Sequence, residues 1–166
     1  MSRGLQAELK QKIPFASREA EAYLSLLRTS DALQTQVESQ LKKFGLTGTQ
    51  YNALRILRGA GQEGLPCREI GERMITRDPD ITRLLDRLED RGFVQRTRAR
   101  HDRRVIYGKI TGAGLKLLRE MDGPLEKYGR DMLRHVGQEK LRRLIELLEL
   151  VRRGKTLHRR DAENAE

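Results

Sequence analysis

The stretch RTRARHDRRVIYGKIT, residues 96–111, sets five arginines within its first nine positions and then turns into a β-branched, strand-like run. A charge run by itself is a solvated surface or a disordered tail. Here both flanks are strand-like, Phe93–Thr97 on one side and Val105–Ile110 on the other, and the seven residues Arg98–Arg104 between them make a basic loop. The run is therefore expected to be an ordered hairpin with a cationic tip. Just upstream, Thr76–Gly92 carries the sharpest helical pattern in the chain, with Asp78 as N-cap, Pro79 at the first helical position and Gly92 as stop. Its apolar stripe is Ile81, Leu84, Leu85 and Leu88, so Thr82, Arg83 and Arg87 point away from the core. Before it, Pro66–Met74 makes a short helix that turns Ile70 and Met74 inward, as it does the preceding Leu65. Two short helices joined by a tight turn, the second bearing cations at its start, form a helix-turn-helix that fits a major groove. A basic hairpin directly after it is a wing.

Working outward, Arg18–Phe44 is an amphipathic helix with an incomplete seam of Tyr23, Leu26, Leu33, Val37 and Phe44. Gly45 suits its C′ position, and Thr47-Gly-Thr-Gln50 offers a capping box for a second helix carrying Tyr51, Leu54 and Leu57, which ends in the loop Gly59–Gly64. On the other side of the hairpin, Thr111 caps a helix with Leu115, Leu117, Leu118 and Met121, which Asp122-Gly-Pro124 is expected to interrupt or kink. Leu141, Leu144, Ile145, Leu148 and Val151 form a last stripe, followed by a polar tail from Gly154 expected to fray. The polar face of that helix mixes Glu139, Glu146 and Glu149 with Lys140, Arg142 and Arg143, which argues against a membrane-binding face and for a second subunit.

The chain has 166 residues, 37% hydrophobic and 35% charged, enough apolar content for one core with surplus charge on its surface. With 34 Lys plus Arg against 24 acids the formal charge is +10, a balance that favours polyanionic partners. The amino terminus lacks the apolar region of a secretory signal and no apolar run is long enough to span a bilayer, so a cytoplasmic protein is expected. The one cysteine, Cys67, excludes an internal disulfide and a multi-thiolate zinc site. It stands at a helix start, where a thiol can be activated, but a half-buried inert cysteine is the preferred reading. His101, His135 and His158 have no metal or triad spacing, and Gly112-Ala-Gly114 fails as a dinucleotide loop because Leu117 stands where the third glycine belongs. No cofactor and no catalysis are expected.

Thr82-Arg-Leu-Leu-Asp-Arg-Leu-Glu-Asp-Arg-Gly-Phe-Val94, then Asp102-Arg-Arg104, then Ile110-Thr-Gly-Ala-Gly114, together resemble the multiple antibiotic resistance regulator (MarR) family over about Leu46 to Leu118. The resemblance implies a mainly α fold with a small β-hairpin wing: residues 1–45 an N-terminal helix shared with the dimer interface, 46–118 a winged helix-turn-helix, 119–153 C-terminal dimerisation helices and 154–166 a tail. It further implies a homodimer on pseudo-palindromic double-stranded DNA, a wing Asp-x-Arg pair in Asp102 and Arg104 that braces the hairpin and sends an arginine into the minor groove, and control by a small phenolic or aromatic effector. Thr76, Arg77, Thr82, Arg83, Arg87, Arg98, Arg100, Asp102, Arg103 and Arg104 are the expected DNA-facing positions, with Tyr23 and Tyr51 the candidate effector contacts. Two departures stand out. Asp78 and Asp80 place acids where relatives more often carry small hydroxyl residues, so Asp78 is read as a cap and the role of Asp80 stays open. No cysteine lies in the N-terminal region where oxidation-sensing relatives hold theirs. A nonspecific architectural or RNA-binding winged helix is the alternative reading.

Overall fold

The computed structural model describes residues 4–76, 80–99, 102 and 104–163, with side chains as far as residue 154. Arg77, Asp78, Pro79, Arg100, His101, Arg103 and the side chain of His158 lie outside the described residues. Two compact units make up the chain, residues 1–121 and 122–166. In the first, a one-turn helix α1 (Leu5–Glu8) precedes α2 (Arg18–Leu41), which Ser17 caps by accepting the Ala20 N–H at 3.1 Å. The helix tightens into a 3₁₀ turn at Lys42–Phe44 and stops at Gly45, whose φ of 67° is the left-handed conformation that glycine adopts without penalty. The expected seam is only half covered: Leu33, Val37 and Phe44 are half-buried, whereas Tyr23 is 62% exposed. The fully buried anchor is Leu41, which the stripe omitted.

Helix α3 (Gly48–Ala60) opens with the expected capping box. Thr47 Oγ1 accepts the Gln50 N–H at 3.2 Å while Gln50 Oε1 accepts the Thr47 N–H at 3.1 Å, so two donors of the first turn are satisfied reciprocally. Its inner face, Ala53, Leu54 and Leu57, is fully buried. A strand that the sequence did not announce follows: β1 (Leu65–Pro66) pairs antiparallel with the second strand of the wing. Gly64 makes that approach possible, since at φ 71° any Cβ would collide with the Gly108 carbonyl oxygen.

Helix α4 (Cys67–Arg73) buries Ile70, with Met74 buried at its end, and α5 (Ile81–Asp90) buries Leu84, Leu85 and Leu88. Each such leucine contributes about 1.5–3 kcal/mol by leaving water. The cap of α5 is Asp80: its backbone, at φ −131° and ψ 68°, is not helical, and its carboxylate accepts the Arg83 N–H at 2.9 Å, while the expected cap Asp78 lies outside the described residues. That geometry gives Asp80 a role and starts the helix at Ile81. The wing consists of β2 (Val94–Arg98) and β3 (Ile106–Ile110), paired from Val94 opposite Ile110 to Arg98 opposite Ile106. The sheet is therefore three-stranded, β1-β3-β2. Thr111 closes its base, donating to the Gly92 carbonyl at 2.7 Å and accepting the Gly114 N–H at 3.1 Å.

Helix α6 (Gly112–Leu133) is not interrupted at Asp122-Gly-Pro124. Pro124 lies inside it, at the cost of one backbone donor, and the helix continues past it. In the second unit a 3₁₀ turn (Arg134–Val136) and Gly137 lead into α7 (Gln138–Glu163). The expected frayed tail is helical to Glu163, consistent with its content of Lys, Arg, Ala and Glu, which are good helix formers. On α7, Leu144, Ile145, Leu147, Leu150 and Val151 are all exposed. No helix among the described residues is long and apolar enough to cross a membrane.

Candidate nucleic-acid interface

Burial of Leu84, Leu85 and Leu88 fixes which way α5 faces, because the opposite side of a helix must then meet solvent. Thr82, Arg83 and Arg87 are all exposed on that side, and Thr76 is exposed ahead of the helix. Arg83 and Arg87 stand one turn apart, so both cations lie along one ridge. With Asp80 and Leu84 they border a polar cleft of about 140 Å³ against Thr47, Thr49 and Gln50 at the start of α3.

Three contacts hold this helix in place, and none of them was visible in the charge pattern. Glu89 accepts the Arg96 backbone N–H at 2.7 Å and its Nε at 2.8 Å, while Asp86 pairs with the Arg96 guanidinium. The Arg96 backbone N–H holds the Glu89 carboxyl below its ordinary pKa, outweighing the opposing effect of burial, and the guanidinium adds to it. Arg96 is thus an internal clamp between recognition helix and wing strand. At the end of α5, Arg91 donates to the Gly45 carbonyl at 2.6 Å and stacks over the Phe93 ring at 4.8 Å. At its approach, Asn52 Oδ1 of α3 accepts the Ile75 N–H at 2.8 Å, which braces the turn between α4 and α5. A signal for Arg96 did exist. Val94, Arg96 and Arg98 share one face of a strand by its two-residue period, and Val94 is buried.

On the wing, Arg98 and Arg104 are exposed. Asp102 accepts the Arg104 backbone N–H at 2.9 Å, its own carbonyl accepts the Val105 N–H at 3.0 Å, and the Val105 carbonyl accepts the Ala99 N–H at 2.9 Å. The carboxylate closes a local turn through the main chain of Arg104. The Arg104 side chain is left exposed.

Cys67 is half-buried at the start of α4, and burial pushes its thiol up, against the opposing Arg96 charge. Tyr23 and Tyr51 lie on α2 and α3, Tyr51 half-buried with the Arg55 guanidinium 5.9 Å from its ring centre. Neither borders a cavity of about 270 Å³ whose lining includes Leu33, Val37, Asn52 and Ile75.

The family model described as the MarR family matches residues 44–105. The HTH-type transcriptional regulator FarR of Neisseria gonorrhoeae is 29% identical over 136 residues, spanning 82% of this chain and 92% of its own. The crystal structure of a MarR transcription factor from Planctomyces limnophilus superposes with a TM-score of 0.64 at 43% identity, covering 82% of this chain and 99% of that one. NadR, solved in complex with 4-hydroxyphenylacetate, superposes with a TM-score of 0.65 at 27% identity, over 84% of this chain and 97% of its own.

Proposed function

The chain belongs to the MarR family, and from that premise we propose that it is a sequence-specific DNA-binding repressor, working in the cytoplasm as a homodimer on a pseudo-palindromic operator. The observation that carries this reading is the division of α5 into a buried leucine face and an exposed Arg83–Arg87 ridge, clamped through Arg96 to a cationic hairpin. Such a pair presents one element to the major groove and one to the adjacent minor groove or backbone. Thr76, Thr82, Arg83 and Arg87 face the major groove, and Arg98, Asp102 and Arg104 serve the wing; Arg77, Arg100 and Arg103 complete the set by sequence. The exposed leucines of α7 are a surface for a second copy, which would set two recognition helices about one helical turn, roughly 34 Å, apart. A small phenolic or aromatic effector, as in the NadR complex, would release the operator, with Tyr23 and Tyr51 as candidate contacts.

Selection from random duplexes by the full chain, followed by sequencing, tests the reading. An inverted repeat with half-sites about 10 base pairs apart is expected. Equal recovery of arbitrary duplexes would replace it with the architectural alternative.

A further inference from the structure

Asp80 combines two properties in one side chain. As the N-cap of α5 its carboxylate is fixed at the helix start by accepting the Arg83 N–H at 2.9 Å, and it is nonetheless exposed. It borders the polar cleft of about 140 Å³ together with Arg83 and Arg87, so it belongs to the face of α5 that carries those cations. The remaining acids of α5 are placed otherwise: Asp86 and Glu89 hold Arg96, and Asp90 is the last residue of the helix. A cap needs an acceptor and not a charge, because serine and asparagine cap about as well as aspartate. The negative charge of Asp80 therefore exceeds what the cap requires, on a surface where a polyanion would repel it.

We propose, on the regulator reading above, that Asp80 is a specificity-determining residue: while capping α5, its carboxylate accepts a hydrogen bond from the N4 amino group of a cytosine in each half-site. Recognition helices meet base edges with their N-terminal residues, which is where the cap holds this carboxylate. In the major groove cytosine presents a donor at N4, whereas guanine and thymine present acceptors. Adenine sets its N6 donor beside the N7 acceptor, which repels the second carboxylate oxygen. A carboxylate has about four lone-pair sites, so the bond to the Arg83 main chain leaves acceptor capacity for a base. That bond also orders the carboxylate before DNA arrives, which lowers the entropy lost on contact. On any other sequence the same charge faces phosphates without a donor to compensate it. Asp80 thus discriminates by difference, repelled by every duplex and compensated only at cytosine.

Asp80→Ser removes the charge and keeps a capping oxygen, and Asp80→Thr repeats the change with a second hydroxyl, so both full-length variants should fold and melt close to the native chain. Selection from random duplexes should give the native chain a C·G pair at one position of each half-site. Both variants should lose the preference there and keep the others. In binding isotherms the variants should hold arbitrary duplexes about twofold or more tighter, the scale of one exposed charge, and their preference for the selected site should fall about fivefold or more. A selected site with 2-pyrimidinone, which lacks the 4-amino group, in place of that cytosine closes a cycle: it should weaken the native chain about fivefold or more relative to the variants. The proposal is overturned if no selected cytosine depends on residue 80, or if the variants lose instead the position that Arg83→Ala relaxes, which would make Asp80 a support for that guanidinium. It is also overturned if the variants bind arbitrary duplexes no tighter, if the pyrimidinone site weakens all chains equally, or if both variants fail to fold, which would make the charge part of the cap. Failure of the native chain to select any sequence rejects the regulator reading itself, and is distinct from selection of an operator indifferent to residue 80.

Discussion

Arg83→Ala removes a guanidinium from the exposed ridge of α5 without touching Leu84 or Leu85 beneath it, so its effect should appear in recognition and not in folding. It should cost roughly 1–3 kcal/mol on the cognate site and relax the preference for sequence. Arg98→Ala should weaken every duplex about equally and reduce the salt slope by about one. Arg104→Ala should fall between them, losing most where the flanks are A·T-rich and the minor groove narrow. Binding isotherms at several salt concentrations separate the three. Asp102 is the sharper case, because deleting an acid from a basic wing strengthens binding if only net charge matters. Its carboxylate instead holds the Arg104 main chain at 2.9 Å, so Asp102→Ala should weaken binding, with Asp102→Asn intermediate. Tighter binding by Asp102→Ala would reduce the wing to a charged surface.

Among the elements, the clamp between α5 and β2 decides whether helix and wing act as one body. Arg96→Met leaves Glu89 and Asp86 without their partner. Both acids are partly exposed, so the loss in stability should be modest, about 1–2 kcal/mol by denaturant midpoint, and the salt slope of DNA binding should stay unchanged, because the Arg96 guanidinium is already taken up by Asp86 and Glu89. The acid limb carries the same signature. Glu89 has a lowered pKa in the folded chain, so its contribution is present above the ordinary carboxylate range and lost as pH falls through the folded value. Thermal scans between about pH 3 and pH 6 should show a shallower acid limb for Glu89→Gln. The capping box at Thr47, the buried face of α5 and the two wing strands were all legible, because each rests on local chemistry with a fixed period. What escaped notice needed a distant partner. Arg96 belonged to the same run as Arg98 and Arg104, and only the acids on a neighbouring element turn it inward. Leu65–Pro66 is too short to show alternation and becomes a strand only where Gly64, lacking a Cβ, lets it approach Gly108.

At the scale of the whole molecule the apolar surface left on α7 is the feature that asks for a second copy. Deleting residues 139–166 should yield monomers or aggregates and abolish tight operator binding, as light scattering and titration would show. A folded monomer that keeps full DNA affinity would rule out the assembly. The charge mixture on α7 was readable in the sequence, but the breadth of its apolar face was not, since Leu147 and Leu150 lie outside the expected stripe and are 60% and 62% exposed. The three-stranded sheet carries a different consequence. At Tyr107 and Gly108 the central strand has neighbours on both edges, whereas Arg98 and Ile106 near the tip have one each. Opening should therefore run from the tip toward the root and stall where β1 joins. Amide exchange should be fast near Ile106 and slow at Gly108, graded along a single strand. On DNA, such a hairpin would be a cantilever: its fingertip would yield to the local width of the groove while its root, clamped through Arg96, stays fixed to α5.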